Sequence, residues 1–183
     1  ALAALCVATG TVAQPAYNYS KLQKEQLGRG VVAIRENPSD VVVSWRYLSS
    51  DPINTSFNVY RNGEKIAEVP HSTGTFYRDT YSGNEKAVYT VKPVINGVET
   101  GKLNGNYTLP ANAPSGYIDI PLDRPAEGVT PSGQKYTYSP NDASIGDVDG
   151  DGEYEIILKW DPSNAHDNAH DGYTGNVYFD CYR

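Results

Sequence analysis

Short runs of strand-forming residues, broken every few positions by turn signals, leave this chain little choice but a fold made of sheets. Between Gly28 and Thr108 the runs at 31–34, 41–47, 57–61 and 88–94 carry the β-branched and aromatic residues that suit a pleated, half-buried surface. The pairs Asn62-Gly63 and Asn96-Gly97 mark hairpins, because both residue types tolerate the positive φ of a tight two-residue turn. Outside residues 19–27, no stretch holds a helical apolar period for more than a turn or two. The predicted class is all-β.

Trp45 in the second run, with Tyr60 and Tyr89 on later ones, gives residues 28–109 a pattern that resembles a fibronectin type III-like β-sandwich. Pro, Gly and Ser crowd the following stretch, which reads as a linker or crossover over 110–135 with one short strand at 117–120. A new unit begins over 136–183. There an oxygen-rich loop runs into a buried strand at 155–160, and an alternating strand follows at 176–182. Two strands and a loop cannot cover both faces of a sheet, so a chain truncated at both ends and a second domain only begun are expected.

The loop itself is the densest chemistry in the sequence. Asp147, Asp149 and Asp151 alternate, Gly152 permits a sharp turn, and Glu153 and Glu155 follow, so one short segment offers several hard oxygens to calcium. The twelfth position from Asp147 is Leu158 rather than a bidentate glutamate, so this is not an EF-hand. Like charges this close are costly unless a cation neutralises them; the alternative is a solvated acidic turn. The charge is lopsided as well. Of a net −7, residues 142–183 contribute −8 (ten acidic, two basic), which leaves the first 141 at +1. An acidic second half would repel phosphate backbones, so no nucleic-acid partner is expected.

Residues 1–13 are uncharged and mostly small or apolar, and they read as the remnant of a secretory signal peptide, with 14–27 a lead-in. The segment is too short to span a membrane, and a secreted or periplasmic protein is expected. Removal of Cys6 with it would leave Cys181 alone, so core packing and calcium, not a disulfide, would hold the fold. His166 and His170, four apart in a repeated Asn-Ala-His-Asp, would suit zinc on a helix. Pro162, Gly172 and the surrounding Asn and Asp point instead to a polar surface loop. Asn141 before the acidic loop and Asp161 after the strand leaving it are either sugar-binding groups or a turn former and a strand cap.

Seven segments in order carry a resemblance. They are Gly28-Arg-Gly-Val-Val-Ala-Ile34, Val43-Ser-Trp-Arg46, Phe57-Asn-Val-Tyr-Arg-Asn-Gly63, Tyr136-Thr-Tyr-Ser-Pro-Asn-Asp-Ala-Ser144, Gly146-Asp-Val-Asp-Gly-Asp-Gly-Glu-Tyr-Glu155, Leu158-Lys-Trp-Asp-Pro-Ser-Asn164 and Gly172-Tyr-Thr-Gly-Asn-Val-Tyr178. In order and spacing they resemble the bacterial rhamnogalacturonan lyases of polysaccharide lyase family eleven. That resemblance implies a fibronectin-like domain followed by the first blade of a truncated calcium-binding β-propeller. It also implies β-elimination at the rhamnose-(1→4)-galacturonate bond of the pectin backbone, rhamnogalacturonan I. Asn141 and Asp161 fall on family positions that line the substrate cleft, which implies sugar binding and not proton abstraction. The family's catalytic residues lie on later blades, so no catalytic residue is assigned and the 183 residues alone are expected to be inactive.

The enzyme is expected to act as a monomer. A different class, a non-catalytic calcium-dependent carbohydrate-binding or adhesion propeller behind a fibronectin-like domain, shares the acidic loop. A zinc hydrolase through His166 and His170 would instead bind zinc.

Overall fold

The architecture is that of a computed structural model in which residues 25–102 and 104–183 are described. The leader at 1–13, Cys6 and most of the lead-in fall outside the described residues, as does most of the 19–27 period. Among the described residues there is no α-helix, only a single 3-10 turn at His71–Thr73, and no helix long and apolar enough to cross a membrane.

Strands β1 (Val32–Asn37), β2 (Asp40–Ser44) and β5 (Phe76–Thr80) form one antiparallel sheet in the order β1-β2-β5. The facing sheet runs β4 (Glu64–Val69), β3 (Ser56–Arg61) and β6 (Ala87–Ile95), with β7 (Val98–Glu99) and β8 (Gly105–Leu109) pairing on the far side of β6. Because successive strand residues point to opposite faces, Val41 and Val43 are fully buried while Val42 between them is not. They meet Phe57, Val59, Tyr89 and Val91 of the other sheet in one apolar cluster, so the two sheets are a sandwich. Asn62 and Asn96 (φ 50° and 52°), each followed by a left-handed glycine, close the hairpins β3–β4 and β6–β7 as the sequence predicts.

Trp45 is buried, but one residue beyond β2 rather than at a strand centre. It packs edge-on to Phe57 at 5.4 Å, and its indole nitrogen is buried without a partner. One residue on, the Arg46 amide donates to the Arg29 carbonyl at 2.8 Å, and Arg29 pairs with Asp51. Asp51 takes Nη1 of Arg29 at 2.6 Å and Nη2 at 3.0 Å, and the side chains are 0% and 4% exposed. The guanidinium also donates to the Arg46 carbonyl and covers the Phe57 ring.

On the sandwich's outer face Glu99 accepts hydrogen bonds from Tyr60, Asn58 and Lys92. Those donors, Tyr60 foremost, pull its carboxyl down from 4.5 to about 2. A carboxyl depressed by folding adds stability that is complete above the unfolded value and is lost as pH falls through the folded one. Urea titrations should therefore show stability declining between about pH 4.5 and about 2. Glu99→Gln should flatten that decline; an unchanged acid slope would show that Glu99 contributes nothing.

The stretch after β8 departs from expectation. Residues 117–120 do not pair as a strand. Ser115 bridges Arg35 of β1, and the Gly116 amide donates to the Arg35 carbonyl. Gly116 then turns with φ 88°, and Tyr117, Ile118 and Ile120 are left exposed. A small hairpin follows, β9 (Gly128–Val129) with β10 (Lys135–Tyr136). The sheet within 136–183 has three strands where two were expected: β11 (Tyr138–Gly146), β12 (Glu155–Pro162) and β13 (Tyr178–Tyr182), in an antiparallel meander. β11 is an edge strand exposed from Ser139 to Ile145, so its polar sequence looks like a loop while its backbone is held by the ladder to β12. Tyr138, Leu158 and Trp160 form its small core, and the Trp160 indole donates to Asp180 at 2.7 Å.

Candidate functional site

The turn between β11 and β12 gathers its aspartates. Carboxylate oxygens of Asp147, Asp149 and Asp151 lie within 4.8 Å of one another, the only such convergence of His, Cys, Asp or Glu among the described residues. The loop's own amides shape it. Asp147 accepts from Gly150 N (2.7 Å) and Gly152 N (3.0 Å), Asp149 from Asp151 N, and Asp151 from Glu153 N. Glu155, buried at the start of β12, takes the Val148 amide at 2.9 Å and anchors the loop from beneath. Arg183 reaches in from the end of β13, donates to Asp149 and Glu155, and forms an ion pair with Asp151 at 2.9 Å.

Of the five candidate metal residues, then, three converge, Glu155 stands behind them, and Glu153 faces elsewhere. Its carboxylate lies 3.9 Å from Arg46 on the sandwich. The donor set is all oxygen and anionic. Calcium–oxygen bonds of 2.3–2.6 Å keep any two ligands of one ion within about 5 Å of each other, and these oxygens lie within 4.8 Å, so the residues fit a calcium ion. The guanidinium of Arg183 shows the same demand for positive charge.

Asn141 and Asp161 are brought together across the β11–β12 pair, the Asn141 amide donating directly to the Asp161 carboxylate. A bulge lies at this point of the ladder. Pro140 faces Trp160 and Ala143 faces Leu158, so three steps on β11 match two on β12. Lys159, two residues before Asp161 and therefore on its side of the strand, pairs with it at 3.0 Å. Lys159 first, and Asn141 after it, hold the Asp161 carboxyl below the usual range, so it stays an ionised acceptor. Phe179 of β13 stands opposite Lys159 and is 67% exposed. An open face with carboxylate, ammonium, carboxamide and an aromatic ring offers acceptors, donors and a stacking plate of the kind that acidic sugars need. Lys159 and Phe179 are missed from sequence alone; the two-residue spacing of Lys159 and Asp161 on one strand is the signal that finds the former.

His166 and His170 lie in the loop between β12 and β13, not on a helix. Their rings sit edge to face at 6.3 Å, and Asp167 is engaged with the Ala169 amide in a local turn. Asn164 organises that loop, donating to the Tyr173 carbonyl and accepting from Gly175 N.

Two family models cover most of the chain. The β-sheet domain of rhamnogalacturonan I lyases matches residues 22–107, and the C-terminal domain of rhamnogalacturonan lyase family 11 matches residues 117–183. The chain is similar to two proteins of Bacillus subtilis (strain 168), being 48% identical to the rhamnogalacturonan endolyase YesW and 47% to the rhamnogalacturonan exolyase YesX. These alignments take in 88% and 89% of this chain but 25% and 26% of those proteins, so the chain spans about a quarter of the length of the relatives it matches. Solved structures agree. The exotype lyase YesX superposes with a TM-score of 0.74 at 46% identity, and the Bacillus licheniformis rhamnogalacturonan lyase with 0.72 at 48%, each over 88% of this chain and 26% of the other. With matched segments on both sides of residue 110, in the sandwich and in the acidic-loop sheet alike, the chain belongs to the rhamnogalacturonan lyases of family eleven.

Proposed function

We propose that the protein carrying this chain is an exported, monomeric rhamnogalacturonan lyase, in which residues 28–109 are a fibronectin-like domain and residues 136–183 open a calcium-bound propeller. The observation that carries this is the coincidence of 46–48% identity to lyases with an Asn141–Asp161 pair on an open face. In the reaction a base takes the C5 proton of galacturonate. The C4–O bond breaks with its electron pair, and a C4=C5 double bond remains in the uronate. None of the residues described here is assigned as that base. Asn141 and Asp161 bind sugar hydroxyls, and Lys159 keeps Asp161 ionised for that purpose. Calcium, when bound, would supply the positive charge that lets three aspartates face each other in the loop. Residues 1–183 alone are expected to be inactive.

The test is the ultraviolet absorbance of unsaturated product when the full-length protein is given rhamnogalacturonan with calcium and then with chelator. Calcium-dependent absorbance is the expected result. No product, with calcium still raising the melting temperature, would overturn the lyase reading and leave a calcium-dependent adhesive or carbohydrate-binding module.

A further inference from the structure

The acidic loop does not stand alone: the sandwich grips it at one peptide. The Gly152 carbonyl accepts from the Gly28 amide at 2.6 Å and from Arg46 Nη1 at 3.3 Å, and Arg46 also donates to the Gly28 carbonyl. The guanidinium lies over the Tyr154 ring at 4.4 Å, with Glu153 3.9 Å away. Three glycines clear the space. A Cβ on Gly152 (φ 94°) would stand 2.7 Å from the Gln26 carbonyl oxygen and 2.8 Å from the Gly28 nitrogen. One on Gly30 would stand 2.6 Å from the Arg46 guanidinium carbon, and one on Gly28 2.5 Å from Glu153 Oε1. The peptide so held is also part of the loop's interior, because its own N–H, that of Glu153, donates to Asp151 at 2.9 Å.

We infer that Arg46 is a positioning residue for cation binding by the Asp147–Asp149–Asp151 loop, so that calcium occupancy and docking of the loop on the sandwich are thermodynamically linked. The inference rests on the calcium reading of the loop. Ordering a loop costs conformational entropy, and an interaction that fixes it beforehand raises ligand affinity by the part no longer lost on binding. Linkage is reciprocal, so bound calcium must tighten the docking by the same factor. Arg46 suits the role: its planar fork serves two carbonyls while its face covers a ring, which a lysine cannot do.

The test uses calcium titrations of the full-length protein, by calorimetry and by thermal unfolding with and without chelator. Asp149→Asn defines the loop's share of the calcium response. Arg46→Met should weaken that share about threefold to tenfold and lower the melting temperature more with calcium than with chelator, and Arg46→Lys should fall between. Should Arg46→Met not fold, Tyr154→Leu, which removes only the ring under the guanidinium, should give the same signature at smaller size. A variant that loses equal stability with and without calcium, or binds calcium as wild type does, overturns the inference and leaves the calcium reading intact. If Asp149→Asn and wild type respond alike, the loop takes no calcium and both fall.

Discussion

Arg29→Met is expected to destabilise the sandwich by about 3–5 kcal/mol, the range seen when one partner of a buried ion pair is removed. Asp51 would keep the Leu48 amide at 2.8 Å but lose both guanidinium bonds, in a setting where its side chain is 4% exposed. The variant also strips the Phe57 ring of its cationic cover and the Arg46 carbonyl of a donor. Since a domain's whole stability is about 5–15 kcal/mol, the single change would bring this one near its threshold. Thermal unfolding should register a drop of at least roughly 12 °C for a sandwich of this size. Because the attraction of a buried pair mainly offsets its own desolvation, Arg29→Met with Asp51→Leu should be milder than Arg29→Met alone. A double variant as unstable as the single one would mean that the site needs charge, not merely volume.

Asp161→Ala should lower kcat/KM on rhamnogalacturonan about tenfold to a hundredfold in the full-length enzyme, the span that loss of a charge-assisted hydrogen bond covers. Most of the loss should appear in KM, because the assigned role is binding. Asp161→Asn, which keeps the shape and surrenders the charge, should recover part of it. Lys159→Met tests the electrostatics separately. With the ammonium gone, the Asp161 carboxyl should rise toward its ordinary value of 3.8, and the acid limb of the pH profile should move up with it. Unaltered KM and kcat in Asp161→Ala would remove this residue from the sugar site.

Local rules go far here, and they fail for identifiable reasons. Asn62-Gly63 and Asn96-Gly97 are legible because each residue's conformational freedom alone specifies the turn. Val41, Val43, Val59 and Val91 are legible through strand periodicity, which fixes the buried face. Residues 139–146 read as loop and fold as strand, because an exposed edge needs its ladder and not apolar side chains. Residues 117–120 read as strand and do not pair, because Gly116 turns them from the one edge they reach. In the candidate site, the convergence of Asp147, Asp149 and Asp151 follows from their alternate spacing. That Glu153 turns to Arg46 does not, since its partner lies more than a hundred residues away, just beyond β2 of the sandwich. Arg29 with Asp51 is hidden for the same reason: no short-range pattern announces a buried pair 22 residues apart.

The extra residue in β11 acts as a change of phase. Before it, Tyr138 and Pro140 share a side with Trp160 and Pro162; after it, Ala143 and Ile145 take over that side, even numbers yielding to odd. Everything downstream, including where the three aspartates begin, is counted from that shift. Deleting Asp142 would remove the extra residue and leave a regular ladder in which Asn141 faces Lys159, Ala143 still faces Leu158 and the acidic loop keeps its start. The bulge is thus the one place where the edge strand can lose a residue without moving the three aspartates, whereas a single-residue insertion or deletion between 143 and 146 would reverse the faces of the residues that follow it.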